Sequence, residues 1–366
     1  MSGPSVTPAD WLALAGAARD RGRQQADHVS PTAAAQVRAA TQGRIEQARA
    51  EGLLDPAARD YLAAQHSFAA AHDPHGLAEL EGIAEGFGIV AETLFAHQHL
   101  GMLRDVARGA TIDRDGCSAW ATGDGPDGPL VVKNRDFSGT HQGIQRLMWH
   151  TGPDIATGGV MCLGSLGSPG AYSSGMNAAG LALADTQIGA RHHRVGWPRY
   201  FLMTRLLARC ATVAEALDFL RAVPHAGGGA LILADTTGAT AAVELGADHV
   251  EIESGALSLR TNHFVSAALA AQTLSATGQI DESSAARYAY LATTLPEARR
   301  DIAGAARLMA THADPDGGGA PVCQHAREGD ETHTLSSVIY SIREACVYFH
   351  PGNPCAGRWQ NVRLPV

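Results

Sequence analysis

A glycine–cysteine pair, Gly116-Cys117, followed by Ser118, stands about one third of the way along a chain of 366 residues. A cysteine thiol can attack the carbonyl of the residue before it. That attack would move the Gly116 acyl group from nitrogen to sulfur, and water would then hydrolyse the thioester. The product is a new chain start at Cys117, carrying an α-amine and a thiol on one residue. The thiolate is the nucleophilic form of cysteine and needs a base. A free α-amine has a pKa of about 8 and can serve, and its position is nearly built in. Glycine at 116 suits such a junction because it lacks Cβ and tolerates a strained scissile peptide. Taken alone, the pair is better described as a small buried cysteine in a β-hairpin.

Further residues extend the constellation. Asp136, within Asn134-Arg135-Asp136-Phe137, closes the strand expected to pair with that of Cys117. A carboxylate there can orient the new ammonium, as the third member of a triad orients its base. Lys133 and Arg135 flank it, and strand alternation is read as turning Arg135 away from Asp136 and Lys133. A surface salt-bridge cluster is the plainer account of these charges. Asn262, in Thr261-Asn262-His263-Phe264, ends a predicted strand, and its amide NH₂ could donate to a developing oxyanion. His263 is a further candidate base, redundant beside an α-amine. Gln187 is a possible second oxyanion donor, and Asn177 sits in a turn where amides usually satisfy backbone.

The elements that must position these residues change character at Asp115-Gly116. Residues 8 to about 105 read as helical with few strands. Leu80, Ile83, Phe87, Val90 and Leu94 recur at three- or four-residue steps, and Pro31, Pro56 and Pro74 mark breaks. Ser118–Thr122 and Leu130–Lys133 then read as a hairpin around a Gly-Asp-Pro turn. Strands are predicted at Val160–Leu163, Ala171–Ser174 and Leu181–Ile188. Helices follow at Arg199–Cys210 and Ala216–Val223, the second capped by Thr212 through a Thr-x-x-Glu box. Strands at Leu231–Asp235, Thr240–Leu245, Val250–Ile252 and Leu257–Thr261 come next. Helices Ser283–Leu295 and Asp301–Thr311 precede strands Pro321–Gln324, Thr334–Ser341 and Ala345–Phe349. Strand pairs grouped around helix pairs indicate an α+β layered fold. Residues 1–7 and 312–320 are expected to be loose.

Composition narrows the function classes. Net charge is −9 with no long basic run, which argues against nucleic-acid binding. Lys133 is the sole lysine. No apolar run reaches the roughly 18 residues of a membrane span. No secretory signal is visible, so a cytoplasmic setting is expected. The six cysteines form no CxxC pair, and there is no dinucleotide or Walker motif. No cofactor and no metal are expected.

At the quoted motifs the chain resembles the acyl-coenzyme A:6-aminopenicillanic acid acyltransferase (isopenicillin-N acyltransferase) peptidase family of N-terminal nucleophile (Ntn) hydrolases. More distantly it is similar to penicillin V acylases and bile-salt hydrolases. The likeness runs, in family order, from Glu79-Leu80-Glu81-Gly82 through the Cys117, Asp136 and Asn262 motifs. It continues to Cys323-Gln324-His325, Thr334-Leu335-Ser336-Ser337 and Gly352-Asn353-Pro354-Cys355. The resemblance implies a four-layer αββα sandwich preceded by a helical N-terminal segment. It implies cleavage at Gly116–Cys117 into pieces 1–116 and 117–366 that stay associated, the first as pro-segment or retained subunit of one compact unit. A homo-oligomer is left open. Cys117, Asp136 and Asn262 would be catalytic, with an acyl thioester on Cys117 made from a small acyl amide or acyl-CoA. Hydrolysis of a small non-peptide amide is the favoured outcome, and transfer to an amine such as a β-lactam nucleus is the alternative. Arg135 and Gln187 stand where relatives carry other residues, and Lys133 stands where bile-salt hydrolases have an arginine. These departures bear on substrate more than on mechanism. Two competing readings are a zinc hydrolase using His192-His193, Cys323-x-His325 and His333, and a processed binding scaffold without turnover.

Overall fold

The computed structural model describes residues 5–8, 10–107, 116–138, 141–274, 282–313, 321–326 and 332–365. Asp115 lies outside the described residues, as do 1–4 and 314–320 of the tracts 1–7 and 312–320 expected to be loose; residues 5–7 belong to a strand instead. The chain opens with β1 (Ser5–Pro8) and β2 (Trp11–Ala15), then α1 (Ala18–Asp27), α2 (Pro31–Ala50), α3 (Pro56–His72), α4 (Pro74–Phe87) and α5 (Ala91–Val106). Next come β3 (Gly116–Thr122), β4 (Leu130–Ser138), β5 (Gln145–Thr151), β6 (Val160–Ser165), β7 (Ser174–Asn177) and β8 (Ala182–Thr186). Helices α6 (Arg199–Arg209) and α7 (Val213–Ala222) precede β9 (Ala230–Ala234), β10 (Thr240–Leu245), β11 (Val250–Gly255) and β12 (Leu257–Arg260). The remainder is α8 (Glu282–Thr294), α9 (Ile302–Met309), β13 (Thr332–Ser341), β14 (Cys346–Pro351) and β15 (Arg358–Arg363).

The strands form two sheets. One runs β1-β15-β14-β13-β4-β3-β12, the other β11-β10-β9-β8-β7-β6-β5-β2. Ala119, Ala121, Val131 and Tyr340 of the first pack on Met161, Met176, Ala184 and Ile232 of the second. On the outer face of the second sheet, Leu80, Ile83, Phe201, Leu206 and Leu217 cover Leu183, Leu231 and Val243. On the outer face of the first, Leu291, Ala305 and Leu308 of α8 and α9 cover Trp120, Leu130 and Val132. The result is four layers, αββα. Strand β3 shows the local logic, because all seven of its residues are buried. Small Ala119 and Ala121 let the sheets approach, while Trp120 turns outward and its indole donates to Met309 Sδ at 3.3 Å.

Pro31, Pro56 and Pro74 each occupy the first turn of a helix, behind the capping side chains of Ser30, Asp55 and Asp73. Thr212 caps α7 as its sequence predicts, accepting from Glu215 N–H at 3.2 Å. The N-terminal segment departs from expectation by supplying a strand to each sheet. β1 pairs in parallel with β15, and β2 with β5. Four of five β2 residues are not buried, which erases the alternation that marks a strand. Strands β5 and β15 were also not predicted, β7 starts where Ala171–Ser174 was expected to end, and Pro321–Gln324 is not a strand.

Candidate active site

The site forms at one end of the first sheet, where β3 begins, β4 ends and β12 ends. Register dictates the neighbours. Gly116 pairs with Asp136 and Cys117 with Arg135 across β3 and β4. On the other side Arg260 pairs with Ala119, so antiparallel continuation carries Asn262 to Cys117. The Cys117 backbone N–H donates to Asn262 Oδ1 at 2.7 Å. The Asn262 Nδ2 donates to the Gln187 carbonyl at 2.8 Å, and its own N–H donates to Ser284 Oγ at 2.8 Å. The amide orientation follows, since a flipped Asn262 would set N–H against N–H. Asn262 therefore holds the Cys117 nitrogen, with one of its Nδ2 hydrogens engaged by Gln187. The sequence offers its NH₂ as a possible oxyanion donor, and the Gln187 carbonyl takes one of the two hydrogens that role would use.

Asp136 is fully buried. Its Oδ1 accepts from the Thr334 hydroxyl at 2.6 Å, and Thr334 is its pairing partner on β13. Its Oδ2 is buried without a hydrogen-bond partner. Burial pushes the carboxyl from 3.8 up to about 6, against the pull of the Arg287 guanidinium, the Thr334 hydroxyl and Lys133. The orphan oxygen sits against the junction, because a Cβ built on Gly116 would lie 2.8 Å from Asp136 Cβ and 3.0 Å from its Oδ2. Gly116 lies outside the left-handed region, so its requirement for glycine is steric and comes from Asp136. Gly116→Ala is expected to lose about 1–3 kcal/mol in urea unfolding, the range for overpacking. A variant as stable as wild type would show that this approach is loose.

Arg287 is the functional residue that sequence reasoning missed. It projects from α8, 1% exposed. Its Nη1 donates to the Cys117 carbonyl at 2.5 Å and to Ser118 Oγ at 3.0 Å, and its Nη2 donates to Asn262 Oδ1 at 2.9 Å. An arginine on an amphipathic helix carries no sequence signal of this role. Only a planar fork spans three such acceptors. Arg287→Met is expected to lose about 3–5 kcal/mol of stability, because it removes the cation whose charge most offsets the burial of Asp136. Arg287→Lys should recover only part. Equal stability of Lys and Arg at this position in urea unfolding would contradict the fork.

The other candidates divide. Lys133 and Arg135 project from the same face of β4, opposite Asp136, so the expectation that Arg135 would face away from Lys133 is corrected; positions two apart on a strand share a face. Lys133 Nζ donates to Asp185 Oδ1, to the Asp185 carbonyl at 2.7 Å and to the Ser173 carbonyl at 3.3 Å. All three of its donors are engaged, which makes it a strut between the sheets. Arg135 is half-buried. Its Nη1 donates to Gln145 Oε1 at 2.9 Å and Ser165 Oγ at 3.0 Å, and its guanidinium lies 5.6 Å from the centre of the Tyr172 ring. Gln187 Oε1 accepts from Arg199 at 2.9 Å, which turns its NH₂ end the other way. Asn177 is structural: Nδ2 donates to the carbonyls of Leu207 and Cys210, and Oδ1 accepts from Leu181 N–H. His263 bonds Ser284 Oγ at 2.8 Å. His193 bonds Asp105 at 2.8 Å, and His192 lies 3.5 Å from Asp248, so His192 and His193 point to separate carboxylates.

Cys117, Asp136, Arg135 and Gln187 line a cleft of about 1060 Å³ including its open mouth. The N-terminal helices build its opposite wall, with Arg44 from α2 and His97, Gln98 and Met102 from α5. Burial and the nearby Arg44 and Arg104 push His97 down to about 3, so its ring is neutral at physiological pH. Neither ring nitrogen has a hydrogen-bond partner. His97 can thus meet a polar group of a ligand, a role its helical position did not reveal. Cys117, 6% exposed and lining the cleft, is a nucleophile candidate whose nitrogen is held by the Asn262 amide, with the Asp136 carboxyl against the preceding Gly116.

The four αββα layers, with a cysteine at the head of a central strand, are the layering expected of an Ntn hydrolase. The chain belongs to the acyl-coenzyme A:6-aminopenicillanic acid acyl-transferase family, whose sequence model matches residues 120–356. That span includes Asp136, Asn262 and Arg287 and begins just past Cys117. The solved structures similar to it include a mutant of the conjugated bile acid hydrolase from Clostridium perfringens. The identity is 14%, with 68% of this chain and 92% of that one covered, and the TM-score is 0.42. The Caenorhabditis elegans ortholog of N-acylethanolamine-hydrolyzing acid amidase is 13% identical over 68% of this chain and 100% of that one, at a TM-score of 0.43. Penicillin V acylase from Agrobacterium tumefaciens is 14% identical over 64% and 83%, at 0.34. No curated protein matches the sequence.

Proposed function

We propose that the protein is a self-cleaving cysteine amidohydrolase acting on a small non-peptide acyl amide. The observation that carries this is the Cys117 nitrogen held by Asn262 Oδ1 at 2.7 Å beside the orphan Asp136 Oδ2. A backbone N–H has one hydrogen to donate, whereas an ammonium has three. The arrangement therefore offers more acceptors than an uncut peptide uses, and suits a free α-amine.

Cleavage begins with the Cys117 thiol losing its proton and attacking the Gly116 carbonyl. The peptide C–N bond breaks as the C–S bond forms, the thiol proton passes to the departing Cys117 nitrogen, and water then hydrolyses the thioester, freeing the thiol and releasing Gly116 as a carboxylate. In the mature site the α-amine takes the thiol proton, and sulfur adds to the substrate carbonyl. The amine product leaves with that proton, and water hydrolyses the thioester. In this reading Asn262 and Asp136 hold the α-amine, Arg287 fixes Asn262 and the Cys117 carbonyl, and Gln187 is a cleft-lining candidate for substrate contact. Pieces 1–116 and 117–366 stay together, because β1 and β2 belong to the two sheets and α2 and α5 wall the cleft. A reducing, cytoplasmic setting fits a catalytic thiol.

The test combines intact-mass spectrometry of the purified protein with a panel of acyl amides and acyl-CoA thioesters. Two pieces dividing at Gly116–Cys117, and turnover that iodoacetamide abolishes, are the expected results. An uncut protein that turns over substrate would sink the N-terminal amine. Transfer is the second reading, favoured by the family's name. A time course with and without 6-aminopenicillanic acid separates it from hydrolysis.

A further inference from the structure

Four His and Cys donors converge outside the cleft lining. His312 follows α9, Cys323 and His325 lie on the segment 321–326, and Cys355 sits in the short 3-10 turn Pro354–Ala356. One ligand atom from each lies within 4.8 Å of all the others. His325 Nε2 is 3.1 Å from His312 Nε2, 3.7 Å from Cys323 Sγ and 3.4 Å from Cys355 Sγ. One ring nitrogen makes one in-plane hydrogen bond, so it cannot serve three partners in this way. A shared ion can. Zn–N bonds of about 2.0–2.1 Å and Zn–S bonds of about 2.3 Å in a tetrahedron set ligand atoms about 3.3–3.8 Å apart, close to the spacing seen.

We infer that His312, Cys323, His325 and Cys355 form a tetrahedral binding site for a zinc-type divalent ion, and that the ion is structural. Two sulfurs and two imidazoles are the donor set that zinc selects over magnesium or calcium. Four protein ligands close the shell, the mark of a structural centre. On binding, each of the two thiols gives up its proton to solvent and becomes a thiolate ligand. Cys323 is buried, the two histidines are half-buried and Cys355 is exposed, which leaves an entry path. Asn353 Nδ2 donates to Cys323 Sγ at 3.5 Å and to the Gln324 carbonyl at 2.5 Å, the kind of outer contact that orients a ligand.

The ion would staple three separate segments between residues 312 and 355, and its effect reaches the cleft by a short chain. Gln324 N–H donates to Thr334 Oγ1 at 3.0 Å, and Thr334 N–H returns to the Gln324 carbonyl at 2.9 Å. The same Thr334 hydroxyl donates to Asp136. Fixing residues 323–325 thereby fixes the donor that holds Asp136. The spacing matches no CxxC or HExxH pattern; Cys323-x-His325 is the half of the centre that the sequence offers as zinc ligands, and the structure completes it with His312 and Cys355 instead of His192, His193 and His333.

The experiment is metal analysis of the full chain, purified reduced and without chelator, followed by stripping and titration with zinc alone. About one zinc per chain is expected, falling at least tenfold in His325→Ala and in Cys355→Ser and unchanged in Cys117→Ser. Cobalt(II) substituted into the stripped wild-type protein should show a thiolate-to-cobalt charge-transfer band, a readout independent of how the variants fold. Stripped, reduced wild type that takes up less than a tenth of an equivalent would overturn the assignment. So would a Cys323–Cys355 disulfide in the freshly purified chain, or zinc uptake indifferent to Cys355→Ser and His325→Ala.

Discussion

Cys117→Ala is expected to stay a single chain of 38.1 kDa under conditions where the wild-type protein separates into two pieces, and to turn over no substrate. Both losses have one cause. The thiol opens its own peptide bond and later carries the acyl group, and alanine offers neither nucleophile. Loss of a covalent nucleophile removes several orders of magnitude of rate. Cys117 is 6% exposed and packed against the head of β3, so removing one sulfur atom from it costs little stability by comparison. Cys117→Ser is the sharper companion. Its hydroxyl keeps the geometry but is a weaker nucleophile, so slow partial cleavage is the expected pattern. The measurements are intact mass after prolonged incubation and product release on the amide panel. A Cys117→Ala protein that cuts at 116–117 would transfer the chemistry to another residue.

Asp136→Asn is expected to slow both cleavage and turnover by about 10²–10⁴-fold, the scale on which an orienting carboxylate acts in a triad. The substitution preserves shape, so Thr334 still has an oxygen to donate to, while the charge set against the Gly116–Cys117 junction is lost. Retention of rate within threefold would remove Asp136 from the mechanism. Stability should move with pH in a particular way. In the uncut Cys117→Ala chain the Asp136 carboxyl titrates at about 6, raised by burial from 3.8. The folded protein therefore keeps a proton that the unfolded chain has released. That contribution is fully present below about pH 4 and is lost as pH rises through about 6. The shift of about 2 pH units corresponds to about 3 kcal/mol. Adding Asp136→Asn should flatten this part of the curve in urea unfolding. Identical slopes with and without Asp136 would contradict it. In the processed protein an adjacent ammonium favours the carboxylate, so the decline should shift to lower pH.

Much of the site was legible because strand chemistry is local. Gly116-Cys117 followed by apolar Ala119, Trp120 and Ala121 marks a buried strand, the Gly-Asp-Pro turn sets the β3–β4 hairpin, and hairpin register then brings Asp136 to Gly116. Asn262 followed from its place at the end of a predicted strand. Arg287 and His97 were not legible, because a charged or imidazole side chain on a helix has the same pattern whether it faces solvent or a nucleophile. The β1 and β2 edge strands were hidden for a related reason. Their partners, β15 and β5, lie over a hundred residues away, and β2 has too few buried residues to alternate.

The sequence by itself determined that a cysteine would head a buried strand with a carboxylate across the hairpin, since both depend on contacts between near neighbours in the chain. It also determined the α+β layering, through runs of strand and helix periodicity. The tertiary structure decided what each group does there. It turned the Asn262 amide oxygen toward the Cys117 nitrogen, engaged every donor of Lys133 and left one Asp136 oxygen without a partner. It also gathered His312, Cys323, His325 and Cys355 into one cluster. Each outcome depends on which distant segments meet and on how many acceptors remain once they do, and one-dimensional spacing does not carry that count.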